Sequence, residues 1–216
     1  MIRNKKSLFN FNECILPMIE DIYDLQLPSP HSVIEWNGLQ NREIHINYDI
    51  DEEIIDVGLQ IINWNNQDDE SNIPINERKP IKIYINSNGG DLLSTFNLID
   101  IINISKTPVY TIGMANCYSS GGLLLLSGHK RLIFPNTTFL LHDGYTDDNN
   151  SLGKVMDKVK FTEKIETKVR DYVISKTKIN KNLYNKKYRE DWYLLANEMI
   201  ELGIADEIIS DISQIK

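Results

Sequence analysis

The chain has 216 residues and a formal net charge of −8 at pH 7, with 41% hydrophobic and 25% charged residues. These values are typical of a soluble globular protein large enough to bury one sizeable core. The negative charge argues against sequence-independent binding to nucleic acid, which requires Lys and Arg to neutralise phosphates. Two cysteines, Cys14 and Cys117, cannot build a disulfide framework or a CxxC zinc motif, so we expect a reducing, cytoplasmic setting.

The N-terminal segment differs in pattern from the rest of the chain. It has no uninterrupted apolar stretch and no small-residue cleavage site, so we do not interpret it as a signal peptide. Pro28 and Pro30 mark a break before the first regular pattern. We therefore predict an arm over residues 1–41, with at most one short helix, followed by a single domain over residues 42–216. The most apolar later run, Gly121–Ser127, is too short to span a bilayer and predicts a buried helix.

Strand-like and helix-like patterns alternate through the predicted domain. Alternating polar and apolar residues predict a strand from Glu43, Asp51 is a suitable N-cap for the helix that follows, and residues 65–79 predict a loop. Further strands are predicted over Ile81–Ile85, Val109–Met114, Leu132–Phe134 and Thr138–Leu141. Further helices are predicted over Asp91–Ile104, Ser119–Ser127, a long segment from near Gly153, and Leu194–Leu202, the last closed by Gly203. This order predicts an α/β fold with a largely parallel sheet.

Two strand-to-helix turns carry the first candidate site residues. Gly89 and Gly90 permit positive φ and a close backbone approach, and N–H groups exposed there can bind an anion or a developing oxyanion. Ser119 follows the next strand and begins an apolar helix, which is typical of a nucleophile turn but also of a serine N-cap. Ser120 and Cys117 are rival nucleophiles, and local sequence does not choose among the three.

A base and an orienting acid have candidates further along the chain. His142 ends an apolar strand, where a histidine can act as a general base or be an ordinary loop residue. His31, His45 and His129 are also available, although His129 lies in a polar turn and His45 lies within a strand. Asp191 could orient a histidine or cap the last helix.

Four segments, taken in order, resemble the Clp protease proteolytic subunit family, known as ClpP. The family's "YINSPGG"-like strand and turn corresponds to Tyr84–Gly90, and its nucleophile segment corresponds to Ala115–Gly128. Its "LPN" segment, which ends in histidine, corresponds to Phe134–His142, and its late "RD…GL.D" segment corresponds to Glu190–Asp206. The resemblance covers roughly residues 42–210, and four ordered segments at compatible spacings are far more specific than any one of them.

The resemblance assigns roles to the candidate residues. Aligned without a gap, the family's serine falls on Ser119, which implies a catalytic triad of Ser119, His142 and Asp191 and an oxyanion hole formed by the N–H groups of Gly90 and Ser120. It also implies a ClpP/crotonase-type fold, with repeated β-β-α units, a largely parallel sheet and a long protruding handle helix.

The resemblance also implies a function. We expect a serine endopeptidase that hydrolyses peptide bonds of unfolded proteins or peptides inside an oligomeric chamber, with no metal or other cofactor. The chain would form a homo-oligomer of heptameric rings, two of which make a tetradecamer, and an AAA+ unfoldase would be its partner. Neither nucleic acid nor a membrane is expected as a partner.

Several positions depart from the family pattern and mark a divergent or phage-like member. Asn88 replaces a proline, Ser120 replaces methionine or alanine, and Lys82 and Tyr84 stand where the family's ATPase-docking pocket has two tyrosines flanking one residue. Two alternative functions stay open. One is a catalytically silent ring subunit or scaffold, and the other is a crotonase-type acyl-CoA enzyme, which shares the fold and the oxyanion hole but needs no Ser/His/Asp set.

Overall fold

A computed structural model describes residues 29–144 and 149–215, except for the side chain of His31. Most of the predicted N-terminal arm, including Cys14, lies outside the described residues. The backbone contacts divide the chain into two units, Met1–Asn37 and Gly38–Lys216. The predicted boundary between residues 41 and 42 stays a prediction.

One seven-stranded sheet organises the second unit. Its strands are β1 (Glu43–Ile46), β2 (Ile81–Ser87), β3 (Val109–Tyr118), β4 (Lys130–Ile133), β5 (Thr138–Leu141), β6 (Trp192–Leu195) and β7 (Glu207–Ile208). The order β1-β2-β3-β4-β7 is parallel throughout. This arrangement confirms the predicted α/β class and the largely parallel sheet.

Strand β3 changes its partner along its length. Its first part pairs with β4, and its last part, Asn116–Tyr118, pairs in parallel with β5. Strand β6 then pairs antiparallel with β5, so that Leu141 lies opposite Trp192. The ends of β2, β3 and β5 therefore meet on one side of the sheet, together with the residue that precedes β6.

Helices connect the strands. They are α1 (Pro30–Gln40), α2 (Ile55–Glu70), α3 (Leu92–Ile104), α4 (Ser120–Leu125), α5 (Leu152–Lys176), α6 (Lys181–Lys187) and α7 (Ala196–Glu201). Asp51 accepts a hydrogen bond from the Glu53 N–H and caps a 3-10 turn that leads into α2. The C-cap of α7 is Leu202, and Gly203, which was predicted to close the helix, follows it with a φ of 69°, the left-handed conformation that commonly ends a helix. Among residues 29–144 and 149–215, no helix combines the length and the apolar composition that a membrane span needs.

The core lies where the central strands meet α2, α3 and α4. Strand β2 contributes Ile81, Ile83 and Ile85, all fully buried, and α4 with its C-cap contributes four consecutive buried leucines, Leu123–Leu126. Lys82, which lies between two of these isoleucines, is buried as well, as expected for a parallel strand that is covered on both faces. The core therefore fixes the ends of β2 and β3, from which the candidate site residues project.

The structure corrects several predicted boundaries. The predicted loop over residues 65–79 begins too early, because α2 continues to Glu70. Strand β3 continues past Met114 to Tyr118. The predicted last helix is shorter than expected, because Trp192–Leu195 forms a strand, and neither β7 nor α6 was predicted.

Candidate active site

The turns after β2 and β3 touch each other. A Cβ added at Gly89, whose φ is 110°, would lie 2.7 Å from the Ser119 Cβ. The Ser120 hydroxyl donates a hydrogen bond of 3.0 Å to the Gly90 carbonyl oxygen. The first turn can pass this close to the second only because glycine has no side chain.

Ser119 has a backbone conformation that is uncommon for a residue other than glycine. Its φ is 51° and its ψ is −123°, and its N–H donates to the Leu140 carbonyl oxygen at 2.9 Å. It occupies the N-cap position of α4, yet its side chain makes no capping hydrogen bond. A strained serine between a strand and a helix, with its hydroxyl not used as a cap, is the geometry of a nucleophile turn.

The two rival nucleophiles are engaged elsewhere. Ser120 is almost fully buried, and its hydroxyl is bonded to Gly90. Cys117 is fully buried, and burial raises the pKa of its thiol to about 12. A buried, protonated thiol is a poor nucleophile, so the geometry favours Ser119.

Two backbone N–H groups are available beside Ser119. Ser120 is the first residue of α4, where a helix leaves its N–H groups without intrahelical acceptors. Among the hydrogen bonds between described residues, neither the Gly90 N–H nor the Ser120 N–H has an acceptor. Such free donors are what an oxyanion hole requires.

Pairing between β5 and β6 brings His142 to Asp191. Both residues lie one step beyond the Leu141–Trp192 pair of the antiparallel ladder. The His142 Nδ1 lies 3.8 Å from the Asp191 Oδ1, and the Asp191 side chain is 64% exposed. That distance is longer than a hydrogen bond, so the two groups form a loose, solvent-accessible ion pair when the imidazole is protonated. Asp191 does not cap α7, whose N-cap is Leu195.

The other described histidines lie away from this site. His45 stacks on Tyr84, with 5.1 Å between the ring centroids. The His129 Nδ1 accepts a hydrogen bond from the Val109 N–H, and burial followed by the charge of Lys176 lowers the pKa of its imidazole. Within the described residues, no group of three or more His, Cys, Asp or Glu side chains could hold a metal ion.

Most of the predicted site residues line one cavity of about 550 Å³. Gly90, Ser119, Ser120 and His142 all line it, whereas Asp191 does not. One wall comes from α5, through residues that include Phe161, Ile165 and Val169, and another comes from Tyr184 and Tyr188 at α6 and its C-cap. Sequence reasoning missed these walls, although the i, i+4, i+8 spacing of the three α5 residues indicated a common face.

Known proteins share sequence with this chain. The family model for Clp protease matches residues 36–211. ATP-dependent Clp protease proteolytic subunit 2 of Treponema denticola is 33% identical over 132 residues, which cover 60% of this chain and 66% of the relative. The protein of the same name from Treponema pallidum is 30% identical over 133 residues, which cover 61% of this chain and 67% of the relative.

These matches agree with the resemblance seen in the four sequence segments. The alignments span about two thirds of the length of the two relatives, and the family model covers most of the chain, including both turns, His142 and Asp191. The chain belongs to the Clp protease family, a family of serine-type peptidases.

Proposed function

We propose that the chain is a serine endopeptidase that hydrolyses peptides or unfolded proteins with Ser119 as its nucleophile. The observation that carries the proposal is the backbone of Ser119, held at positive φ between β3 and α4 with its hydroxyl free at the cavity. A serine hydroxyl is a weak nucleophile until a base removes its proton. His142, on the wall of the same cavity, would be that base.

The residues would then act in the order of serine peptidase chemistry. Ser119 attacks the peptide carbonyl, and His142 takes the serine proton and returns it to the leaving amine. Asp191 orients the imidazole and stabilises its charged form. The N–H groups of Gly90 and Ser120 donate to the tetrahedral oxyanion, and losing one such donor typically costs about 3 kcal/mol of transition-state stabilisation.

The chemistry requires a tighter arrangement than this structure has. His142 and Asp191 are 3.8 Å apart, and among the described residues no hydrogen bond joins the Ser119 hydroxyl to His142. Catalytic hydrogen bonds are often long in unliganded enzymes and shorten when substrate binds. We therefore propose that substrate or assembly draws the three side chains together.

The resemblance to the ClpP family is also the basis on which we propose the domain boundaries, the oligomer and the ATPase partner. Residues 42–216 would form the peptidase domain, residues 1–41 would form an arm, and copies would assemble into heptameric rings in the cytoplasm. An AAA+ unfoldase would supply unfolded chains. Its docking surface would differ from the family pattern, because the buried Lys82 side chain donates hydrogen bonds to Glu43 at 3.1 Å and to the Ile215 carbonyl oxygen at 2.6 Å.

Labelling by a fluorophosphonate tests the nucleophile. We expect the wild-type protein to be labelled and to cleave a fluorogenic peptide, and Ser119→Ala to lose both, because the neighbouring Ser120 hydroxyl is buried and bonded to Gly90. Ser120→Ala and Cys117→Ala should still be labelled, since their side chains are bonded or buried. Labelling that persists in Ser119→Ala would refute the assignment, and an unlabelled wild-type protein would favour a catalytically silent ring subunit.

A further inference from the structure

The α5 helix presents two parallel rows of side chains to the cavity that holds Ser119. Phe161, Ile165 and Val169 form an apolar row at i, i+4 and i+8. Lys158, Thr162 and Glu166 form a polar row beside it with the same spacing. A substrate side chain that enters this cavity would therefore meet an apolar surface along its length and a polar row beside it.

The apolar side of the cavity continues across the sheet edge. Leu123 and Leu141, which are both almost fully buried, also line the cavity. The Tyr172 hydroxyl donates a hydrogen bond of 3.2 Å to the Leu123 carbonyl oxygen, which holds α5 against α4. This wall suits the methylene groups of a long side chain.

Glu166 places a carboxylate on this cavity. Its side chain is half-buried, and within the described residues it has no hydrogen-bond or ion-pair partner. It stands beside Tyr184 and Tyr188, which line the same cavity. A partly desolvated carboxylate without a partner is unfavourable until a cation or donor reaches it.

The charges around the cavity also favour a cationic side chain in it. Its described lining includes three carboxylates, Asp91, Asp143 and Glu166, against one ammonium group, Lys158. Asp91 is occupied in part, because it caps α3 through the Ser94 N–H. Burial raises the pKa of Tyr184 beyond its ordinary value, and the negative charge of Glu166 adds to the rise, whereas Arg170 opposes it. Arg170 is itself paired with Asp171 at 2.8 Å.

We propose that Glu166 determines specificity by selecting a lysine or arginine side chain on the carbonyl side of the cleaved bond. The aliphatic stem would lie along Ile165 and Val169, and the cationic end would bind the Glu166 carboxylate. This inference rests on the proposed function, because Ser119 must be the nucleophile for this cavity to flank the cleaved bond.

Matched peptides test the inference. Two fluorogenic peptides would differ only in the residue before the cleaved bond, lysine in one and norleucine, its uncharged analogue, in the other. We expect wild-type kcat/KM to be about tenfold higher for lysine, on the scale of one charge-assisted hydrogen bond. Glu166→Gln, which keeps the shape and removes the charge, should abolish the difference by lowering only the lysine value.

A control variant separates Glu166 from the general charge of the helix. Glu163 lies on the same helix and lines a neighbouring cavity but not the one that holds Ser119. Glu163→Gln should retain the tenfold preference. Glu166→Lys should favour norleucine over lysine.

Binding distinguishes a failure of this inference from a failure of the proposed function. In Ser119→Ala, which cannot cleave, fluorescence anisotropy should show about tenfold tighter binding of the lysine peptide, lost in Ser119→Ala/Glu166→Gln. Equal binding, or a wild-type preference for norleucine while Ser119 is still labelled, overturns the role of Glu166 and leaves the peptidase standing. Selective binding by a protein whose wild-type form is not labelled would leave Glu166 as a binding residue for the cationic side chain, but it would refute the peptidase and with it the role of Glu166 in cleavage specificity.

Discussion

Gly90 sits where the chain leaves β2 and passes against Ile50. A Cβ at this position would lie 2.0 Å from the Ile50 carbonyl oxygen, and φ is 139°. We expect Gly90→Ala to lower the free energy of unfolding by about 3 kcal/mol, the upper end for one strained backbone residue. Its N–H should also move away from Ser119, so fluorophosphonate labelling should slow. Chemical denaturation and the labelling rate are the measurements.

Gly153→Ala is the matched control for this substitution. Gly153 lies in the first turn of α5, and a Cβ there would meet no atom within 4 Å. It should raise stability by about 0.5–1 kcal/mol and leave labelling unchanged, because alanine is favoured over glycine in a helix. Wild-type stability and labelling in Gly90→Ala would contradict the importance of the close approach.

At the scale of single residues, only part of the candidate site could be predicted from the local sequence. The turn residues Gly89, Gly90 and Ser119 could be found locally, because glycine pairs and serines at strand-to-helix junctions are visible in the sequence. The family resemblance selects Ser119, and the structural reason for preferring it to Ser120 is the hydrogen bond from Ser120 to Gly90, 30 positions away. Likewise, the proximity of Asp191 to His142 follows from the β5–β6 pairing, which no local pattern encodes.

At the scale of elements, one buried carboxylate ties α2 to the sheet. The side chain of Asp68 is 1% exposed and accepts two hydrogen bonds from Arg42, at 2.8 and 2.6 Å. It also accepts one from the Thr107 hydroxyl at 2.7 Å. The Arg42 hydrogen bonds are the main reason why the pKa of Asp68 lies below its usual value.

The pH dependence of stability follows from this lowered pKa. The ionised form is favoured in the folded protein, so the contribution of Asp68 is fully present above the ordinary aspartate pKa of about 3.9 and is lost as pH falls through the lower folded value. We expect Asp68→Asn to cost about 3 kcal/mol at pH 7, because it leaves Arg42 without its carboxylate. The variant should also lose less stability than wild type below about pH 4. Urea denaturation at a series of pH values measures both effects.

A surface carboxylate provides the comparison. Asp171 pairs with Arg170, but its side chain is 62% exposed, so Asp171→Asn should change stability by less than about 1 kcal/mol. If Asp68→Asn and Asp171→Asn lowered the free energy of unfolding equally, the burial of Asp68 would not strengthen its ion pair with Arg42.

The same network explains why the predicted loop over residues 65–79 begins too early. The segment is polar and contains Pro74, and its residues Asn65, Asp68 and Asp69 are poor helix formers, so the local pattern favours a loop. In the folded chain, the Asn65 side chain accepts from the N–H groups of Lys106 and Thr107, each at 3.0 Å, and Asp68 is bonded to Arg42. These tertiary contacts stabilise the last turns of α2. Longer, strongly periodic elements such as α5 were predicted correctly because their pattern is local.

At the scale of the whole molecule, α5 has an apolar stripe apart from the row that faces the cavity. Leu152, Met156 and Val159 are 76, 54 and 50% exposed and recur at i, i+4 and i+7. Large apolar side chains grouped on one side of a helix mark an association surface. We expect copies of the chain to associate through this stripe.

A single substitution in this stripe tests the proposed assembly. We expect Met156→Glu to lower the molar mass measured by light scattering, because association would bury an unpaired carboxylate among apolar side chains. Met156→Leu is the matched control, since it keeps the apolar surface and should keep the wild-type mass. Because Met156 does not line the cavity of Ser119, fluorophosphonate labelling can report separately on folding of the site. A wild-type mass in Met156→Glu would place the association surface elsewhere, and a monomeric wild-type protein would refute the proposed rings.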